Sequence, residues 1–74
     1  MDYEPTVLGG RVQAIDAVCA WLGSEAAVSD GEAMLQALLA RGLIVRGPRG
    51  FVTTHELDHL TESEWCELID EILG

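Results

Sequence analysis

Lysine is absent from this chain, and four arginines stand against 13 acids, a net charge of −9 over 74 residues. A molecule so charged repels nucleic-acid phosphates over most of its surface, which weighs against direct nucleic-acid binding. Cysteine is scarce: Cys19 and Cys66 are the only two, both set in helix-like apolar patterns. With no signal peptide to read, they are expected to be reduced, buried thiols of a cytoplasmic protein rather than a disulfide. No apolar run reaches the length of a membrane span. Internal repeats and low-complexity tracts are missing, and so is a glycine-rich phosphate loop. The only glycine-flanked turn, Gly47-Pro48-Arg49-Gly50, is too short for one and lacks the lysine that would open a following helix.

What is present suffices for one core. The apolar fraction of 49% excludes a disordered chain, and 74 residues lie near the lower limit for folding without disulfides or metal. Charge is unevenly placed. Six acids precede residue 50 and seven follow it, whereas Arg11, Arg41, Arg46 and Arg49 all precede residue 51. The C-terminal third therefore carries no cation except a protonated histidine.

Periodicity divides the chain. Residues 1–8 have no helical period, and Pro5 discourages a helix, so a flexible arm or a short edge strand is expected there. From Arg11, apolar residues at Val12, Ile15, Cys19 and Leu22 follow helical spacing, widened by Val18 and Trp21, and Gly23 ends the run. A connector follows, with room for a helical turn over Glu25 to Val28. Ser29 and Glu32 read as a capping box for a second helix, whose apolar face is Met34, Leu35, Leu38 and Leu39. Gly42 sits where a left-handed cap belongs, after Arg41 in the last turn. Leu43–Arg46 and Phe51–Thr53 flank the Gly-Pro-Arg-Gly turn and predict a β-hairpin. Thr53 with Glu56 and Thr61 with Glu64 are two further possible capping boxes, with Thr54 an alternative cap to Thr53. They predict a short helix and then a final one with Trp65, Leu68, Ile69 and Ile72 as its buried stripe.

This order, a helix ending in Leu22-Gly23, a connector, a helix with paired leucines before Gly42-Leu43-Ile44, then a tight hairpin, resembles the winged-helix family. The spacing around Trp21-Leu22 and Ala37-Leu38-Leu39 is also similar to DEP domains, winged helices that mostly bind proteins and membranes. The resemblance covers residues 11–54 and implies a fold more than a function, because winged helices serve many ends. In DNA-binding relatives the second helix of the motif enters the major groove with Arg, Lys, Asn, Gln or Ser. Here it would present Asp30, Glu32, Ala33, Gln36 and Ala37, of which only Gln36 is a plausible base reader. Arg41, Arg46 and Arg49 form the one basic patch, around the wing. A DNA-binding regulator using Arg46 and Arg49 is the alternative reading.

The segment His55-Glu56-Leu57-Asp58-His59 matches the zinc-protease pattern, with two histidines as ligands and the glutamate as base. A catalytic site needs a third protein ligand. The positions that would supply a glycine and a third histidine in one group of these enzymes hold Glu62 and Trp65. The match is therefore read as accidental: Leu57 and Leu60 anchor a short connecting helix, while His55, Glu56, Asp58 and His59 face water. Zinc bound by His55 and His59 remains a remote alternative.

The expected architecture is mainly α with one β-hairpin, in the order helix, helix, β-hairpin wing, short helix, C-terminal helix. It forms one domain over residues 1–74: an arm over 1–8, a winged-helix-like core over 9–54 and an acidic helical segment over 55–74. No enzyme and no cofactor are expected. Glu62, Glu64, Glu67, Asp70 and Glu71 on the final helix read as a surface for a protein partner with a basic face. A regulator or inhibitor of a basic nucleic-acid-binding protein fits that surface. The first helix, apolar around much of its circumference, leaves a homodimer open.

Overall fold

A computed structural model describes residues 5–23 and 26–74. The elements run β1 (Val7–Gly9), α1 (Arg11–Leu22), α2 (Val28–Ala40), β2 (Ile44–Gly47), β3 (Gly50–Thr53), α3 (His55–Asp58) and α4 (Glu62–Leu73). The chain is mainly helical with a small antiparallel sheet in strand order β1-β3-β2, a shape compatible with a winged helix. No helix among the described residues is long and apolar enough to cross a membrane.

The sheet has one strand more than the hairpin alone. Of the two forms expected over residues 1–8, Val7 and Leu8 take the short edge strand: they belong to β1, which pairs antiparallel with β3 through Val7–Val52 and Gly9–Phe51, with a register irregularity between them. Three residues are too few to show a period, so β1 exists because β3 offers it a partner. A reciprocal clamp holds its entry: Thr6 N–H donates to Thr53 Oγ1 at 2.9 Å, and Thr53 N–H donates to the Thr6 carbonyl at 3.0 Å. The remainder of the predicted arm, residues 1–4, lies outside the described residues, as do Ser24 and Glu25 of the connector.

The hairpin closes as the turn residues require. Pro48 and Arg49 connect Gly47 to its cross-strand partner Gly50. No described residue other than glycine has a positive φ, so the left-handed position falls to Gly50, at φ 110°. A methyl group on Gly50 would stand 2.2 Å from the Gly9 carbonyl oxygen, so this glycine also lets β1 approach.

The core lies between the sheet and the helix pair. Ala14, Ile15 and Val18 of α1 meet Met34, Leu35 and Leu38 of α2, with Ile44 and Phe51 from the sheet and Leu68 from α4. Fully burying a side chain such as Leu38 contributes about 1.5–3 kcal/mol. The predicted stripe of α1 needs two corrections: Trp21, expected to widen it, is exposed at 38% and stands outside the core, and Val12 leaves it as well. Val12 is 77% exposed, and Ala14 takes the inward position instead. The cysteines differ from expectation too: both are free, but Cys19 is only partly buried and Cys66 is exposed. Cys19 faces Gly31, where an added methyl would come within 2.3 Å of Sγ, so α1 and α2 touch closely at this point.

The helix ends show which capping signals hold. Ser29 does not cap α2. The helix begins two residues earlier than that cap implies, at Val28, so Ala27 is the N-cap, and the Asp30 carboxylate accepts the Ala27 N–H at 3.4 Å. Ala27 has no side-chain acceptor, so this is half a capping box. At the other end, Gly42 (φ 72°) and Leu43 donate N–H groups to the carbonyls of Leu39 (3.1 Å) and Leu38 (2.9 Å). These are the two bonds of a Schellman ending. Thr53 does not cap α3, because it is buried in β3. Thr54 takes the N-cap position and gives its hydroxyl to the Leu43 carbonyl at 2.8 Å, tying α3 to the start of β2. The second predicted box is complete: Glu64 N–H donates to Thr61 Oγ1 at 3.2 Å, and Thr61 N–H donates to Glu64 Oε1 at 3.1 Å.

Candidate functional site

The final helix is amphipathic, with Trp65, Leu68, Ile69, Ile72 and Leu73 against the core. Its five acids all project to the wet side, but they are not equivalent. Glu64 serves the N-terminal cap. Glu71 pairs with Arg41, whose Nη2 donates at 3.1 Å, so one cation does relieve this face; Arg41 also donates from Nη1 to the Ala37 carbonyl at 3.5 Å. The carboxylates of Glu62, Glu67 and Asp70 are exposed and in no ion pair among the described residues. Like charges so close on one helix repel.

The three arginines assigned to one basic patch are divided. Arg41 belongs to the α2–α4 junction. Arg46 lies opposite Phe51 in the hairpin, with its guanidinium carbon 5.4 Å from the ring centroid. Arg49 occupies the exposed turn. The remaining arginine, Arg11, pairs with Glu32 across α1 and α2. With Asp30 tied to Ala27 and Glu32 to Arg11, the first turns of α2 carry partnered carboxylates in place of base-reading side chains.

His55 and His59 face each other one helical turn apart. Their Nε2 atoms are 2.8 Å apart, and their rings meet edge to face with centroids 4.1 Å apart. One nitrogen donates and the other accepts, according to tautomer. Among the described residues, no group of three or more histidine, cysteine, aspartate or glutamate side chains is arranged to hold a metal ion, around them or elsewhere. Leu57 and Leu60 pack against the core from this segment as its pattern implies.

The feature that sequence reasoning missed lies just beside the histidines. Trp21, at the end of α1, and Trp65, in the first turns of α4, meet edge to face with ring centroids 6.3 Å apart. With Leu57 and Leu60 they wall an open pocket of about 480 Å³, and Thr6, Thr53 and Asp58 supply its polar lining. The chain's only two tryptophans thus share one cleft. The available signal was their position, each a large aromatic on an amphipathic helix stripe. No spacing rule connects residues so far apart in the chain.

No family model, no curated protein and no solved structure matches the chain. The functional reading therefore stands on the geometry alone.

Proposed function

We propose that this chain is a small non-enzymatic regulatory protein of the cytoplasm that acts through protein–protein contact. It would present the acidic side of α4 to a partner with a basic surface, as an inhibitor or adaptor of a nucleic-acid-binding protein. On this reading the helix–helix–hairpin unit is a winged-helix module of the protein-binding, DEP-like kind. The observation that carries it is the set of exposed acids Glu62, Glu67 and Asp70, in no ion pair among the described residues, on a helix where Arg41 is the single cation paired. Repulsion at this density costs stability, and a basic partner would offset that cost.

The test is recovery of partner from the protein's own cells by wild type and by a Glu62→Lys, Glu67→Lys, Asp70→Lys variant. Glu64 is left alone because it caps the helix. Loss of the partner with an unchanged far-ultraviolet circular dichroism spectrum is expected, and equal recovery would overturn the reading. A gel shift at low salt separates the DNA-regulator alternative. Binding that Arg46→Ala and Arg49→Ala abolish would replace the proposal, since those are the wing's two exposed cations.

A further inference from the structure

The pocket between the tryptophans has a chemistry of its own. Its walls are apolar: two indole rings and the side chains of Leu57 and Leu60. Among the described residues Asp58 is the only lining group that carries a formal charge, and it has no ion-pair partner among them. None of the chain's arginines lines the pocket: Arg11 and Arg41 are held by Glu32 and Glu71, Arg46 lies over Phe51, and Arg49 sits in the turn. Glu56 and Glu62, exposed on the flanking turns, add negative charge nearby.

We propose that this pocket binds one cationic side chain, arginine or lysine, of the protein partner, its aliphatic stem along the leucines and indoles and its charged head at Asp58. The inference rests on the reading of a basic partner and names the group that partner inserts. A purely apolar occupant would desolvate the Asp58 carboxylate without compensating it. An anionic occupant would meet a negative wall on a chain of net charge −9. A long side chain with an apolar body and a cationic tip satisfies both parts of the lining. Tryptophan faces are the strongest of the aromatic partners for such a cation. The fold already shows this kind of contact internally, in Arg46 over Phe51. Paired tryptophans receiving an arginine are also the composition that dominates binding energy at protein interfaces.

The experiment needs no partner. Both tryptophans of the chain line the pocket, so their indole N–H resonances report on it directly. The full chain is titrated with a blocked glycine-arginine-glycine peptide, its lysine analogue, and the citrulline analogue, which keeps the shape of arginine without its charge. Saturable shifts of both indole resonances are expected with arginine and lysine. The citrulline peptide should bind about tenfold more weakly, and Asp58→Asn should remove about the same factor. Asp16→Lys, at an exposed acid of α1 outside both the pocket and the α4 face, should leave the titration within about twofold. Equal binding of the citrulline peptide, no effect of Asp58→Asn, or no indole shift with any peptide would each overturn the proposal. Because the Asp58 side chain is exposed and in no ion pair among the described residues, and the backbone N–H that bonds the Thr54 carbonyl is untouched by the change, its amide variant is expected to fold. Failure here with partner recovery still sensitive to the α4 acids would remove the pocket and keep the acidic face. Indole shifts together with charge-insensitive recovery would do the reverse.

Discussion

The two halves of this molecule are held by different means. Across α1, α2 and the hairpin, Ala14, Val18, Met34, Leu38 and Ile44 are all at 0% exposure, and their contacts interlock from three elements. Across α3 and α4 the only residue classed as buried is Leu68, at 9%, with Trp65, Ile69 and Ile72 half-buried around it. The first half is a core that needs no charged group to explain it. The second is a single amphipathic face laid on that core, secured by a capping box and one ion pair. The difference teaches where function can sit. A surface helix attached by one stripe leaves most of its circumference to partners, whereas the packed half is committed to itself.

The comparison can be broken most forcefully in the core. Leu38→Ala should cost about 2–5 kcal/mol, most of what a domain of this size has, and urea denaturation should find it largely unfolded. Gly31→Ala comes next. Its methyl would strike Cys19 Sγ at 2.3 Å and press on the Ile15 carbonyl at 3.1 Å, so the thiol must swing aside or the helices shift, at about 1–3 kcal/mol by thermal denaturation. Adding Cys19→Ala should recover part of that loss, and a strictly additive double variant would show that the sulfur is not the obstacle. Thr61→Ala probes the second half. Losing the cap should cost about 1 kcal/mol, and hydrogen exchange should place the added opening in α4 while core amides of α2 keep their protection. Smallest is Arg41→Ala. Its partner Glu71 is 68% exposed, so the change should stay under about 1 kcal/mol and shrink further in high salt.

Much of the fold was legible because its signals are local. Gly23 and Gly42 end their helices, the Gly-Pro-Arg-Gly turn closes the hairpin, and Thr61 with Glu64 opens α4, each within a few residues of the backbone it shapes. Errors arose where a local signal competed with a distant one. Ser29 is a better capping residue than Ala27, yet α2 begins where its packing on α1 at Gly31 puts it. Thr53 matched a cap but is claimed by β3 and its clamp to Thr6. Val12 follows the helical spacing of α1 but falls outside the face that α2 and the sheet cover. The candidate site was readable only in part. The acids of α4 are visible in composition, but Arg41–Glu71 and Trp21–Trp65 are contacts between elements, and no periodicity within one element reveals them.

The position of β1 has a consequence for how the chain acquires its shape. Val7 must find Val52, which lies 52 − 7 = 45 residues later. The loop it closes contains α1, α2 and the whole of β2. Closing so long a loop is entropically costly until the intervening segments have compacted. The opening strand is therefore expected to wait, unpaired, until β3 exists, and to join the sheet after the helices and hairpin have formed. During synthesis it would emerge before α1, α2 and the hairpin and be incorporated after them. On unfolding, the same order in reverse would release the β1 edge ahead of the rest, and with it Thr6, one wall of the tryptophan pocket.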